Sequence, residues 1–186
     1  MFVIQIGGED GITDSHRGVD EVYELVVNNK WYAVILEPNP RHFEDLKRNY
    51  KKEDRVTLIP MAVSEEDKKV KFFDCEMPGA STLIEDVLSK NNYHNGRSKN
   101  YKMIMVQGIN INTLLQQYNR PDYLVIDAEG FDGTIIEMLD FKKFKIPKIR
   151  FEFSHIKMEQ LGRVCLKLIK LDYTLTHDRA DIVATL

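Results

Sequence analysis

Cysteine and long apolar runs are both scarce in this 186-residue sequence, and each scarcity excludes a class of protein. The two cysteines, Cys75 and Cys165, lie far apart, so neither a disulfide framework nor a paired-cysteine zinc site is expected. No apolar run approaches the roughly 20 residues that a membrane helix needs. Met1 and Phe2 lead into an apolar run without the basic segment that opens a signal peptide. We therefore expect a cytoplasmic protein with no membrane span.

An excess of basic charge is also absent. The 26 Lys and Arg residues face 29 Asp and Glu residues, which gives a net charge of −3. This balance gives no electrostatic reason to expect a nucleic acid partner, and the lysine-rich stretches at 47–52 and 142–148 are interpreted as solvated faces. The apolar content of 43% and the chain length predict a single folded domain over residues 1–186.

A glycine-rich turn follows the first apolar run. The predicted strand Phe2–Ile6 leads into Gly7, Gly8 and Gly11, and residues 12–29 then show the apolar spacing of a helix. Thr13, Asp14 and Ser15 are the candidate caps of that helix. Strand, glycine turn and helix are typical of a nucleotide-binding α/β unit, because glycines let the backbone approach a ligand closely. The spacing is not G-x-G-x-x-G, so this turn alone is equally compatible with a purely structural role.

The order of the remaining patterns predicts an α/β fold with a mostly parallel sheet. Apolar runs typical of strands buried on both faces occur at 33–37 and 123–127, and further strands are predicted at 56–60 and 148–153. The last two runs, 173–176 and 181–186, are joined by residues 177–180. This joint is too short for a parallel crossover, so the last two strands are predicted to pair antiparallel.

The segment 75–101 interrupts this regularity. It is polar and has no clear period, and connections of this length in a compact domain are usually functional. We interpret it as an insertion that acts as a lid and selects the substrate. The flanking runs 69–74 and 102–109 are predicted to pair antiparallel, and Thr113 with Gln116 resembles the capping box of a short helix.

Acidic residues close several predicted strands, at the sheet edge where open α/β sheets bind ligands. Glu37 ends the second strand, where a carboxylate can accept hydrogen bonds from both hydroxyls of a ribose. The alternative is an acid that simply ends a strand at the surface. Paired with the glycine turn, the ribose interpretation is favoured.

Four ionisable residues lie at or just beyond the ends of the two strands predicted at 123–127 and 148–153. They are Asp127, Glu129, Glu152 and His155. If these strands are neighbours, the four side chains converge on one cleft, where they can remove a proton from a substrate hydroxyl or hold a divalent cation. The alternative is that Asp127 and Glu129 cap the next helix and that His155 is a surface histidine.

Several motifs in a fixed order resemble the FkbM family of S-adenosylmethionine-dependent methyltransferases over essentially the whole chain. The Glu-Pro-x-Pro motif at 37–40 and the Asp-x-Glu-Gly motif at 127–130 are far more specific than the glycine turn. The remaining motifs are Gln5-Ile6-Gly7-Gly8-Glu9-Asp10-Gly11, Ala62-Val63-Ser64 and Phe151-Glu152-Phe153-Ser154-His155.

The resemblance implies the class I methyltransferase fold, a seven-stranded sheet with an antiparallel last strand and helices on both faces. It also implies S-adenosylmethionine as cofactor, with contacts from Gln5, Gly7, Gly8, Gly11, Glu37, Pro38, Ala62, Val63 and Asp127. Glu37 would bind the ribose, Met61-Ala62-Val63 would lie beside the adenine, and Asp127 would lie near the methionine end. Many members carry an acid where Gln5 stands here, and Glu9 or Asp10 are the candidates to replace it.

The predicted function is transfer of a methyl group to a hydroxyl oxygen of a small molecule, sugar or lipid. Asp127 or Glu129 is the expected base, followed by His155, with Glu152 beside them in the same cluster. No metal is assigned, although the acidic cluster is compatible with a divalent cation. Two alternatives stay open: an NAD-dependent oxidoreductase, since an acid after the second strand suits any adenosine ribose, and a non-catalytic nucleoside-binding module of the same fold.

Overall fold

The computed structural model describes residues 1–14, 18–75, 80–90 and 101–186, and these residues form ten strands and six helices. The strands are β1 (Phe2–Ile6), β2 (Tyr32–Leu36), β3 (Val56–Ile59), β4 (Met61–Val63), β5 (Lys69–Cys75), β6 (Tyr101–Ile109), β7 (Tyr123–Ile126), β8 (Lys148–Glu152), β9 (Thr174–Asp178) and β10 (Asp181–Thr185). The helices are α1 (Glu21–Val27), α2 (Pro40–Asn49), α3 (Glu85–Lys90), α4 (Ile111–Tyr118), α5 (Asp132–Met138) and α6 (Met158–Ile169).

Seven strands form the main sheet, in the order β3-β2-β1-β7-β8-β10-β9. β10 runs antiparallel to both of its neighbours, and the other pairs in the sheet are parallel. This confirms the predicted sheet with its antiparallel last strand. The chain moves outward from β1 to β3 and then returns to β7 on the other side of β1. The strand order therefore reverses between β1 and β7, and a crevice is expected there at the carboxyl ends of the strands.

Both faces of the main sheet are covered, which explains why β2 and β7 carry only apolar and aromatic side chains. Successive side chains of a strand point to opposite faces. Val3 of β1 and Ile35 of β2 belong to one apolar layer, whereas Ile4 of β1 and Leu36 of β2 belong to the other. All four of these side chains are fully buried. Among the described residues, no helix is both long enough and apolar enough to cross a bilayer.

A smaller sheet of three strands, β4-β6-β5, stands beside the main one. The predicted antiparallel pair is confirmed, since β5 and β6 pair from Lys69 with Gln107 to Cys75 with Tyr101. β4 was not predicted as a strand. It follows β3 after a single proline, Pro60, and pairs parallel with the end of β6.

Both predicted helix starts were wrong. α1 begins at Glu21 and is capped by Asp20, whose side chain accepts from the amide of Tyr23. The segment before α1 forms a separate turn, because the carboxylate of Asp10 accepts hydrogen bonds from the amides of Ile12 and Thr13. Thr13 and Asp14 therefore do not cap α1, and Ser15 lies outside the described residues.

The start of α4 was also wrong by several residues. α4 begins at Ile111 and its cap is Asn110, which accepts from the amide of Asn112. Thr113 lies inside the helix, where its hydroxyl donates to Asp67 instead. The predicted segment 75–101 is only partly described, since 76–79 and 91–100 lie outside the described residues. Its described part contains α3 and a bridge between Thr82 and Phe73.

Candidate active site

A cavity of about 620 Å³ opens at the carboxyl ends of β1, β2, β7 and β8, where the strand order reverses. Most of the residues that the sequence singled out line it. They are Gln5, Gly7, Gly8, Glu37, Pro38, Ala62, Val63, Asp127, Glu129, Glu152 and His155. The topology therefore brings the predicted cofactor residues and the predicted catalytic residues into one space.

The turn after β1 needs two of its glycines for close backbone packing. A Cβ on Gly7, whose φ is +83°, would lie 1.8 Å from the carbonyl oxygen of Asp127. A Cβ on Gly8 would lie 2.4 Å from a methyl group of Ile35. The amides of both glycines donate to the carbonyl of Leu36 at 3.0 and 3.1 Å. The turn is therefore fixed against the ends of both neighbouring strands.

Gly11 lies apart from the lining of the cavity. A Cβ there would lie 2.4 Å from Leu46 and 2.5 Å from the ring of Tyr50, and its φ is +74°. These contacts give Gly11 a packing role against α2. The position of Gly11 therefore does not support the cofactor contact that the family resemblance implies for it.

Glu37 is held rigidly just beyond the end of β2. One carboxylate oxygen accepts from the amide of Glu9 at 2.8 Å, and the other accepts from the amide of Asn39 at 2.7 Å. The residue is 4% exposed, and burial raises the pKa of its carboxyl group to about 8. Each oxygen keeps a second acceptor position for a ligand.

A buried pair that sequence analysis missed lies behind the glycine turn. The side-chain amide of Gln5 donates to Asp20 at 2.8 Å, while Asp20 also caps α1. The carbonyl oxygen of Gln5 is buried and has no hydrogen-bond partner among the described residues. The residues are 15 positions apart, so only the fold brings them together, and no local motif could have shown the pair. Asp10, one of the two predicted substitutes for the missing acid, instead closes its own turn with Ile12 and Thr13.

The strand ends of β7 and β8 carry the second group of ionisable residues. Nε2 of His155 lies 3.5 Å from Oε2 of Glu129 and 4.0 Å from Oε1 of Glu152. Asp127 lies beside them, and the accessible surface of its side chain opens into the cavity. Oε2 of Glu129 and Oε2 of Glu152 are both buried, and neither has a hydrogen-bond partner in the described part of the chain.

The alternative that Asp127 and Glu129 cap α5 does not match the hydrogen bonds. The residue at the cap position is Phe131, which makes no side-chain capping bond. Asp132, in the first turn of α5, accepts from the amides of Ala128 and Gly130 at distances of 3.1 to 3.3 Å. Asp132 is therefore the acid that fixes this turn, and the side chain of Glu129 is left to face the cavity.

Burial and mutual repulsion shift the protonation of this group. Burial raises the pKa of Glu152 to about 8, and it raises the pKa of Glu129 well above the usual value. Burial and the nearby Asp181 raise the pKa of Asp127. Burial lowers the pKa of His155, so its imidazole is neutral at pH 7. Neutral imidazole beside carboxyl groups can accept a proton or bind a cation.

Comparison with known proteins shows that this chain is similar to methyltransferases. The family model described as the methyltransferase FkbM domain matches residues 5–177. Two solved structures have the same architecture. The precorrin-6y C5,15-methyltransferase from Geobacter metallireducens GS-15 aligns with a TM-score of 0.50 and 15% identity, over 99% of this chain and 79% of that one. The METTL16 methyltransferase domain in its second crystal form aligns with a TM-score of 0.50 and 12% identity, over 100% of this chain and 60% of that one.

These likenesses and the sheet order establish the class I methyltransferase fold for this chain. Sequence identities this low support a shared fold, but they say nothing about the substrate. No protein of curated function matches the sequence.

Proposed function

Because this chain belongs to the FkbM family of methyltransferase domains, we propose that it binds S-adenosylmethionine in its cavity and methylates a hydroxyl oxygen. The acceptor class is a small molecule, a sugar or a lipid. The observation that carries the proposal is the single cavity, about 620 Å³ in volume, which joins a rigid carboxylate at β2 to an acidic cluster at β7 and β8. The cofactor supplies an electrophilic methyl group on a sulfonium sulfur.

Glu37 is the proposed ribose contact. Two backbone amides orient its carboxylate, so both oxygens present their second acceptor positions in a fixed geometry. Two ribose hydroxyls can donate to one carboxylate in this way, and the bonds are stronger because the site is shielded from water. Gly7 and Gly8 keep the turn narrow beside this carboxylate.

An apolar wall is the proposed place of the adenine ring. Ala62 and Val63 of β4 are buried and line the cavity, with Phe72 of β5 beside them. Pro38 continues this wall from the end of β2. A flat aromatic base gains free energy by leaving water for such a surface, at roughly 25 cal/mol per Å² of apolar area.

Gln5 and Asp20 are the proposed contacts of the cofactor's ammonium group. The buried carbonyl oxygen of Gln5 has no partner among the described residues, and such an oxygen is costly to leave without a donor. Asp20 is 7% exposed and adds the negative charge that Gln5 lacks. Together they offer the ammonium group an acceptor and a charge.

Asp127 and Glu129 are the proposed bases, with His155 second and Glu152 beside them. The side chain of Asp127 is accessible from the cavity, and partial desolvation there together with the nearby Asp181 raises its pKa towards that of a usable base. The protein must align the acceptor oxygen, the methyl carbon and the sulfur, and then remove the hydroxyl proton. Ser81 and Leu83 line the same cavity, which supports a covering role for the segment 75–101.

The first test is calorimetric titration of the full chain with S-adenosylmethionine, S-adenosylhomocysteine and NAD. We expect both adenosyl-sulfur ligands to bind with micromolar affinity, about −8 kcal/mol, and Glu37→Ala to abolish binding. Glu44→Ala is the matched control, because Glu44 is an exposed acid on α2 that pairs with Lys47. Binding of NAD alone would overturn the proposal in favour of an oxidoreductase, and binding of none of the three would overturn it in favour of a module without turnover.

A second measurement tests the reaction itself. Loss of the methyl group is followed as release of S-adenosylhomocysteine in the presence of sugar, lipid and phenolic hydroxyl libraries. We expect Asp127→Asn to lower turnover while it leaves the affinity for S-adenosylhomocysteine within about threefold. Equal loss of affinity and turnover would instead assign Asp127 to cofactor binding.

A further inference from the structure

Three side chains at the strand ends of β7 and β8 meet in the geometry of a metal centre. Glu129, Glu152 and His155 each offer one ligand atom, and these atoms lie within 4.8 Å of one another. Nε2 of His155 lies 3.5 Å from the Glu129 carboxylate and 4.0 Å from the Glu152 carboxylate. Ligands that share one ion at bond lengths of about 2.1 Å lie roughly 3.0 to 4.2 Å apart. A single cation therefore fits between them with small side-chain adjustments.

Two oxygens of this triad lack the hydrogen bonds that buried oxygens normally have. Oε2 of Glu129 and Oε2 of Glu152 are buried without a partner in the described residues. Glu152 is only 8% exposed, so water does not compensate it fully. A buried oxygen without a donor costs roughly 1–3 kcal/mol, and more if it is charged. Such a cost is offset when the oxygen binds a cationic ligand.

Arg150 does not supply the missing cationic partner to the oxygens of Glu129 and Glu152. Nη1 of Arg150 donates to Glu21 at 2.8 Å, and its Nε faces Asp181 at 3.9 Å. The lining of the cavity has one arginine and no lysine among the described residues, whereas eight acids line it. These acids are Glu9, Asp14, Asp20, Glu37, Asp127, Glu129, Glu152 and Asp181. The field of the cavity therefore attracts positive charge.

We propose that Glu129, Glu152 and His155 bind one divalent transition-metal ion, such as Mn²⁺ or Zn²⁺. One imidazole nitrogen with two carboxylates suits these ions, whereas Mg²⁺ and Ca²⁺ favour sites made of oxygen alone. All three residues line the cavity, so the ion keeps coordination positions open towards it. The site is built by the fold of this chain and does not require the cofactor.

The role of the ion rests on the proposed methyl transfer. A hydroxyl group that coordinates a divalent cation loses its proton far more easily than a free one. The ion would hold the acceptor oxygen at the mouth of the β7 and β8 strand ends. Glu129 and His155 would then serve as ligands, which leaves Asp127 as the group that takes the proton.

The test is titration of the metal-stripped full chain with Mn²⁺, followed by the loss of the free-ion signal in electron paramagnetic resonance. We expect one equivalent to bind, and Glu152→Gln to weaken binding about tenfold or more, because glutamine keeps the shape and loses the charge. His155→Asn, which removes the nitrogen ligand, is the second variant. Thermal unfolding and titration with S-adenosylhomocysteine check that both variants are folded.

Glu37→Gln is the control within the same cavity. It replaces a buried carboxyl group that lies away from the triad, so we expect it to keep Mn²⁺ binding and to lose the nucleoside ligand. Glu152→Gln should show the opposite pattern. This double comparison separates the two proposals, because each ligand reports on one of them.

Two results would overturn the metal proposal. One is the absence of stoichiometric Mn²⁺ or Zn²⁺ binding to the wild type at millimolar concentration. The other is equal loss of Mn²⁺ affinity in Glu37→Gln and Glu152→Gln, which would show attraction by the field of the cavity without a built site. Either result leaves the cofactor proposal intact if S-adenosylhomocysteine still binds.

Discussion

The two halves of the cavity use carboxylates in opposite ways. At the end of β2, Glu37 is buried but accepts a backbone amide on each oxygen. At the ends of β7 and β8, Glu129 and Glu152 each bury one oxygen that has no hydrogen-bond partner in the described residues. The first half has its hydrogen bonds before any ligand arrives, whereas one oxygen of each acid in the second half has no donor among the described residues.

This difference indicates what each half is suited to recognise. A carboxylate that is already oriented by amides can bind hydroxyl groups of fixed geometry with little reorganisation. Crowded carboxyl groups without donors gain most from a proton or a cation. The β2 half therefore suits a nucleoside, and the β7–β8 half suits the group that must lose a proton or hold positive charge.

Substitution of Gly7 should have the largest effect, because the glycine turn joins the two halves. Gly7→Ala places a Cβ 1.8 Å from the carbonyl oxygen of Asp127, so the two strand ends must move apart. We expect a loss of about 3–5 kcal/mol in the free energy of unfolding, measured by urea denaturation. Gly18→Ala is the matched control, since Gly18 has φ +84° and nothing within 4 Å of the added Cβ. Its cost should be about 1–2 kcal/mol, from backbone strain alone. Equal losses in both variants would show that packing between the halves contributes nothing.

Glu152 in the β7–β8 half has a pKa near 8 and contributes to the pH dependence of stability alongside Glu37 of the β2 half, whose pKa is also about 8. A raised pKa means that the native state keeps a proton which the unfolded chain has already lost. Stability from such a group is therefore full below about pH 4.5 and falls as pH rises through 8. We expect the metal-free wild type to lose stability between pH 6.5 and 8, a range that lies above the titration of the buried histidines.

Glu152→Gln tests this assignment. The variant cannot ionise, so its free energy of unfolding should change less over the same range. At pH 8 the free energy of unfolding of Glu152→Gln should exceed that of the wild type by an amount on the order of 2 kcal/mol. Urea denaturation at pH 5, 6.5 and 8, with a chelator present, measures the difference. Parallel curves for wild type and variant would refute the assignment, and Glu44→Gln supplies the baseline for an exposed acid.

Local sequence patterns were enough to predict the sheet and the position of the cavity. β2 and β7 carry only apolar and aromatic side chains because both faces of the sheet are covered, and such runs are visible without any structure. The short joint before β10 predicted its antiparallel pairing for a geometric reason. Glu37 and Asp127 follow directly from the ends of these strands, so their convergence could be predicted as well.

The parts that sequence analysis missed depend on contacts between distant residues or on competing local bonds. The pair of Gln5 with Asp20 joins β1 to the cap of α1 across a turn. The start of α1 was predicted too early, because the carboxylate of Asp10 accepts hydrogen bonds from the amides of Ile12 and Thr13, which were expected to begin the helix. Asp132 lies two residues after the Asp-x-Glu-Gly motif at 127–130, and its role in fixing the turn at Ala128 appears only in the hydrogen bonds.

Asp20→Asn should reduce cofactor affinity by about tenfold, roughly 1.4 kcal/mol, if Asp20 supplies charge to the ammonium site. Asparagine retains an oxygen that can cap α1, so the fold should be preserved. The loss should be seen with S-adenosylhomocysteine and not with methylthioadenosine, which lacks the amino acid part. Calorimetric titration with both ligands measures this difference. A similar loss for both ligands would place the effect of Asp20 at the nucleoside instead.

Thr82 provides the smallest and most selective test, because its side-chain hydroxyl supports the backbone of Glu129 in the β7–β8 half. Its hydroxyl donates to the carbonyl of Glu129 at 2.8 Å and accepts from the amide of Ile84 at 3.0 Å. Glu129 has φ +49°, a conformation that costs a non-glycine residue about 1 kcal/mol or more and needs support from its surroundings.

Thr82→Val removes that support while it keeps the shape of the side chain. We expect a loss of about 1 kcal/mol in stability and a several-fold loss in Mn²⁺ affinity, while S-adenosylhomocysteine affinity changes less than about twofold. Thr57→Val, at an exposed position of β3, is the control for the loss of a hydroxyl in a strand. Equal weakening of both ligands would mean that the two halves are coupled through this turn. Weakening of Mn²⁺ alone would show that the acidic half depends on its own support, independently of the nucleoside half.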